Sequence, residues 1–192
     1  MGIEDNKSRI LAWENLFAHQ VAGMVLEKPK LSVWMVLIPI ITVFHIYRHQ
    51  KYVEGKKAFA DNFLVSRRRS LEEAAAALAE GRKPEATRAI SGSSVPAEAR
   101  RAYDDWITVL LEHYYDLLRS EGSSYDDLVR GVFRSHTDYL LFLSQLARVE
   151  HRFNSALRPS LSENHEAVEE IISHMEAASD AIRRKHAATV FS

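Results

Sequence analysis

The sequence predicts an all-α chain, and three observations carry that prediction. Gly and Pro are scarce, at seven and five of 192 residues, while Ala, Leu, Glu and Arg are common. That composition favours helix. Apolar residues recur every three to four positions in separate segments of the chain, the period of a helix with one buried face. The segments are parted by Pro, Gly and Ser, which stop one helix and cap the next.

Residues 1–30 predict an amphipathic helix. Asp5 or Ser8 can cap it, Ile10, Trp13, Phe17, Val21 and Met24 share one face, and Pro29 closes it. Residues 31–47, LSVWMVLIPIITVFHIY, hold no Asp, Glu, Lys or Arg across 17 positions. As a helix the run covers roughly 26 Å, slightly short of a hydrocarbon core of ~30 Å. Trp34 near one end and Phe44 and Tyr47 near the other suit interfacial belts. Trp34, Leu37, Ile38, Pro39, Ile41, Phe44 and Tyr47 are therefore the expected membrane-embedded residues. Lys28, Lys30, Arg48, Lys51, Lys56 and Lys57 are expected at lipid headgroups. A buried central helix of a soluble bundle is the competing reading.

Pro39 in the middle predicts either a kink or a reversal. A lipid-exposed reversal leaves backbone groups unpaired, whereas Thr42 can re-satisfy a kink. The sequence thus favours a single kinked span with residues 1–30 outside, over a re-entrant segment with both flanks inside. Residues 48–80 predict a long helix, basic at first and Ala-rich later, with Tyr52, Phe59, Phe63, Leu71, Ala74 and Leu78 in helical register and Gly81 as its stop. Consecutive residues point different ways round a helix, so Arg67, Arg68 and Arg69 read as solvated surface.

Residues 81–95 form the one linker, and 96–192 a distal antiparallel three-helix bundle. Its first helix, 94–120, carries Ala99, Tyr103, Trp106, Leu110, His113 and Leu117. Its second, 124–157, opens on Ser124 with Asp127 and carries Leu128, Val132, Phe133, His136, Leu140, Leu143, Ala147, Glu150, Phe153 and Leu157. The third starts near Ser160, with Glu163 completing a capping box, and carries Val168, Ile171, Ile172, Met175, Ala178 and Ile182.

Net charge is −1. Residues 1–57 hold eight Lys and Arg against five Asp and Glu, and the remainder 17 against 21, so the basic excess surrounds the apolar run. Nucleic acid is not an expected partner, because no long basic face exists. There is no Cys, which excludes disulfides and thiolate metal sites. His45 and His49 stand at i, i+4, a metal-chelating spacing with only two ligands. His113, His136 and Glu150 interrupt apolar stripes and are the candidates for a polar pocket. A di-iron pattern is absent: Glu112 and Glu150 are each followed at once by His, and Glu170 to His174 is one residue too long. No phosphate loop or nucleophile elbow occurs. No catalytic residue, metal or cofactor is expected.

The stretch KPKLSVWMVLIPIITVFHIYRHQKYVEGKKAFADNF with the following SRRRSLEEA, about a quarter of the chain, resembles a family of small bacterial proteins. They share a Lys-Pro-Lys, Ser-x-Trp-Met, Leu-Ile-Pro segment before a helical domain. The resemblance implies a membrane-associated, helical, bacterial protein and carries over no functional residue. Together these observations give two expectations. The first is a structural or adaptor protein at the bacterial inner membrane. Its bulk would be cytoplasmic, and its partners anionic lipid and an unidentified protein, with homo-oligomers compatible. The second is a soluble helical bundle with a ligand or metal pocket around His113, His136 and Glu150.

Overall fold

A computed structural model of the chain describes residues 2–26, 53–93, 95–160 and 165–192. These residues form seven α-helices and no strand. They are α1 (Ile3–Leu26), α2 (Val53–Ala79), α3 (Ala86–Ala89), α4 (Arg100–Arg119), α5 (Tyr125–Val132), α6 (His136–Leu157) and α7 (His165–Val190). The fold is all-α, as composition and periodicity predict. The apolar run 31–47, its flanking Lys28, Lys30, Arg48 and Lys51, and the pair His45 and His49 all lie outside the described residues, as does Glu163 of the expected third cap. Lys57 is exposed near the start of α2. Among the described residues, no helix is long and apolar enough to cross a membrane.

The helix ends follow their chemistry. Glu4 and Asp5 occupy the first turn of α1 and complement its dipole, and Asp5 also accepts from the Gly2 amide at 3.2 Å. α1 thus begins before either residue named as its cap. α2 ends at Gly81, whose φ of 68° is left-handed. The Arg82 amide reaches Ala77 O at 2.9 Å and the Gly81 amide reaches Leu78 O at 3.2 Å, which satisfies the last carbonyls. Residues 81–95 are more than a linker, since they hold α3 and bury Ala89.

The single helix expected over 124–157 is two helices. Phe133 leaves helical geometry at φ −104°, ψ 125°, and Ser135 opens α6 by accepting from the Asp138 amide at 3.1 Å. A second cap, Ser-x-x-Asp, outcompetes continuation. α5 has the cap expected for it: Ser124 and Asp127 bond reciprocally.

Five long helices close into a ring in the order α1, α2, α4, α6, α7 and back to α1. α1 and α2 are antiparallel. Lys7 bonds Glu72 at 2.6 Å, Glu14 bonds Arg67, and Phe17 meets Phe63 at 5.7 Å, so rising numbers on one helix meet falling numbers on the other. α1 also runs antiparallel to α7, through Trp13 on His186 and Phe17 under Arg183. Leu26 and Val53 therefore stand at the same end of the ring. α1 thus packs directly on both α2 and α7.

The core is layered. The larger apolar cluster draws on Ile10 of α1, Leu71 and Ala74 of α2, Leu110 and Leu117 of α4, Leu128 of α5, Leu143 and Phe153 of α6 and Ala187 of α7. A smaller cluster, with Phe17, Val21, Val25, Phe59, Ile171 and Ala178, fills the end where Leu26 and Val53 stand. On α1, Ile10 belongs to the first and Phe17 to the second. Glu14 lies between them.

Candidate functional site

Glu14 is the entry to a buried charged layer. It sits four residues after Ile10 and three before Phe17, so helical geometry turns it inward with them. On α2, Arg67 follows Leu64 by three and precedes Leu71 by four, and is equally forced inside. Arg67 is 3 % exposed, whereas Arg68 and Arg69 are exposed. Reading all three as solvated surface is wrong for Arg67, although the underlying point holds that the three point different ways. Arg183 of α7 and Glu150 of α6 complete the layer.

The four charges alternate. Arg67 Nη1 donates to Glu14 at 3.1 and 3.3 Å, and its Nη2 donates to Glu150 Oε1 at 2.5 Å. Arg183 takes the same carboxylate with both nitrogens, at 2.6 and 2.9 Å. Trp106 Nε1 donates to Glu150 Oε1 at 3.2 Å, and Tyr114 donates its hydroxyl to Glu14 Oε1 at 2.7 Å. Both guanidiniums lie over the ring of Phe17, at 5.3 and 5.0 Å, and Arg67 also lies over Phe63 at 4.9 Å. Such contacts favour a cation withdrawn from water.

Two acids and two bases cancel, and only that makes the burial tolerable. Burial alone disfavours the charge on Arg67, but Glu14 and Glu150 outweigh it and hold its pKa above the ordinary value. Burial pushes Glu150 up, but Arg183 and Arg67 pull it further down, so it stays ionised. Burial and the Glu14 charge hold the Tyr114 hydroxyl protonated, well above its ordinary range. A carboxylate that already accepts four bonds is a poor base. The layer is built to pair charges, and it holds α1, α2, α4, α6 and α7 at one level.

The structure separates the three residues named for a polar pocket. Glu150 is in the charged layer. His113 is buried on α4, its ring 4.3 Å from Phe142 and 5.9 Å from Phe133, and its Nδ1 has no partner among the described residues. Burial first, then the charges of Arg183 and Arg67, push its pKa down to about 3, so it is neutral. His136 opens α6 at the surface, with Phe191 its ring neighbour at 6.3 Å. Among the described residues no three metal-ligating side chains converge.

A different histidine is the better connected one. His186 Nε2 donates to Asp126 Oδ1 at 2.9 Å, its Nδ1 lies 3.5 Å from the Tyr139 hydroxyl, and its ring is tilted against Trp13 with centroids 3.8 Å apart. It ties α7 to α5, α6 and α1. Burial lowers its pKa despite the opposing Asp126.

Beside the charged layer lies a cavity of about 360 Å³. Trp106, Phe153 and Phe63 line it with Ala147 and Met175, and Glu150 and Arg183 reach it from within. Its outer rim is polar: His151 and Asn154 of α6, Glu176 and Asp180 of α7.

No protein family, curated protein or solved structure matches the chain.

Proposed function

We propose that the protein is a membrane-anchored helical adaptor. Residues 31–47 enter the cytoplasmic leaflet of the bacterial inner membrane, and the five-helix ring stands in the cytoplasm and presents its surface to a protein partner. The observation that carries the reading is the antiparallel pairing of α1 with α2. It sets Leu26 and Val53, the residues that flank 27–52, at one end of the ring, and this supports an uncharged run that leaves and returns on a single face. Lys28, Lys30, Arg48, Lys51, Lys56 and Lys57 then share one side of the bilayer, next to anionic headgroups, and all six agree with the positive-inside rule.

The chain has no Cys, so single cysteines report sidedness cleanly. The exposed Ser8 and Leu141 are suitable positions. In spheroplasts, Ser8→Cys and Leu141→Cys are expected to resist an impermeant maleimide and to react together once the inner membrane is opened. Labelling of Ser8→Cys alone from outside overturns the one-sided arrangement. Recovery of all the protein as soluble after a carbonate wash, without detergent, overturns the membrane reading itself. A second reading, a soluble bundle with a ligand pocket, is favoured by one observation, the cavity beside Glu150.

A further inference from the structure

We propose that the cavity between α4, α6 and α7 binds a small organic cation: an amine carried on an apolar or aromatic body. The proposal does not depend on where in the cell the protein lies.

Size and shape come first. About 360 Å³ is within the range of small-ligand sites, and such sites are mostly apolar with a few placed polar groups. The inner walls meet that description. Trp106 and Phe153 stack at 5.3 Å, and both are almost fully buried. Ala147 lines the space with a single methyl, and a bulky side chain at that position would occupy part of it.

Charge then selects the occupant. Three carboxylates and one guanidinium line the space. Glu150 and Arg183 are committed to each other through two hydrogen bonds and offer a ligand little. The other two carboxylates, Glu176 and Asp180, stand one turn apart on the same face of α7, where like charges repel. Glu176 accepts from Asn154 Nδ2 at 2.9 Å and from His151 Nδ1 at 3.0 Å. The amide fixes its position without cancelling its charge. Among the described residues Asp180 pairs with Arg184 alone, at 2.7 Å, an exposed i, i+4 contact that water weakens. An ammonium group at this rim would relieve the repulsion while its apolar body entered among the rings. A carboxylate of the same shape would add a third negative charge.

The test is calorimetric titration of the full chain with 2-phenylethylamine and, separately, with 3-phenylpropionate. Saturable one-to-one binding of the amine, at least tenfold tighter than that of the acid, is expected. Glu176→Gln should weaken the amine at least fivefold and leave the acid unchanged or slightly improved. Ala147→Phe should abolish amine binding by filling the space, and Ala147→Met is the milder filler if the larger ring unfolds the chain. Equal affinity for the two probes, no saturable amine binding, or amine binding that survives a folded Ala147 filler each overturns the proposal.

Discussion

Removing Arg67 should be among the most damaging single changes in the chain. In Arg67→Met the apolar stem is kept and the guanidinium is lost. Glu14, with its side chain 8 % exposed, would then lose both guanidinium bonds and, among the described residues, retain the Tyr114 hydroxyl alone. Glu150 would keep Arg183 and Trp106 and remain paired. The damage is therefore one buried carboxylate without its cation, a loss of about 3–5 kcal/mol. Lost contact with the faces of Phe17 and Phe63 adds about 0.5–1 kcal/mol each, and the apolar Met offsets part of it. We expect a net loss of about 4 kcal/mol. For a chain of this length ~1 kcal/mol moves the thermal midpoint by about 2–4 °C, so the midpoint should fall by about 8–16 °C. Urea unfolding followed by helical circular dichroism measures the first quantity, and a thermal melt with the same readout measures the second. The decisive variant is the double one. Arg67→Met with Glu14→Gln removes the stranded charge as well, and should recover about 2 kcal/mol of the loss. A single variant costing under about 1 kcal/mol, or a double variant no better than the single, would refute the buried-charge argument.

Three further outcomes follow from the same geometry. His113 is neutral in the folded chain down to about pH 3, whereas the unfolded chain protonates it near its ordinary value of 6.5. Stability should therefore fall as pH drops from 6.5 towards 3, by up to about 1.4 kcal/mol per unit from this residue. His113→Phe keeps the stack on Phe142 and should flatten that fall, while His186, shifted the same way, preserves part of it; equal slopes for the two proteins in urea titrations between pH 6.5 and 4 would sink the idea. Ser124→Ala removes the cap of α5 and should lower stability by about 1 kcal/mol in the same urea assay. Gly122→Ala should destabilise by about 1–3 kcal/mol, because its Cβ would stand 2.4 Å from Asp127 Cβ and 3.0 Å from the backbone of Asp127 and Leu128; a thermal midpoint at or above that of the parent would count against this packing.

What the sequence discloses is set by how far a residue can be judged from its own helix. Along α4 the whole stripe of Ala99, Tyr103, Trp106, Leu110, His113 and Leu117 is buried. On α1, Ile10, Phe17 and Val21 are buried, but Met24 is half exposed in the last turn, where the neighbouring helices leave it uncovered. Along α6 the pattern drifts. The Ser135 cap restarts the helix, and the buried face becomes Tyr139, Leu143, Leu146, Val149 and Phe153. The signal for that break, Ser135 followed three residues later by Asp138, is present in the sequence. The charged layer was only half legible. Glu150 stands out on its stripe, and Glu14 occupies an equally apolar one. Two acids on buried faces require two bases on buried faces, and the helical spacing of Arg67 from Leu64 and Leu71 could have named one. Which base meets which acid depends on the ring order of five helices, and no local pattern encodes that order.

The interlocking of α1 has a consequence for the order in which the chain can fold during synthesis. α1 is made well before the helices that satisfy it. Asn6 waits for the carbonyls of Leu118 and Ser120, more than 110 residues downstream, and Glu14 waits for Arg67, Tyr114 and the helices behind them. At ribosomal speeds of about 5–20 residues per second, that is an exposure of roughly 6–23 s. During this interval the uncharged run emerges directly behind an unpartnered amphipathic helix. Contacts this distant along the chain also slow the final closure, since loop entropy must be overcome before they form. Whatever receives the nascent chain, lipid or chaperone, therefore meets residues 1–57 before the ring that will enclose α1 exists.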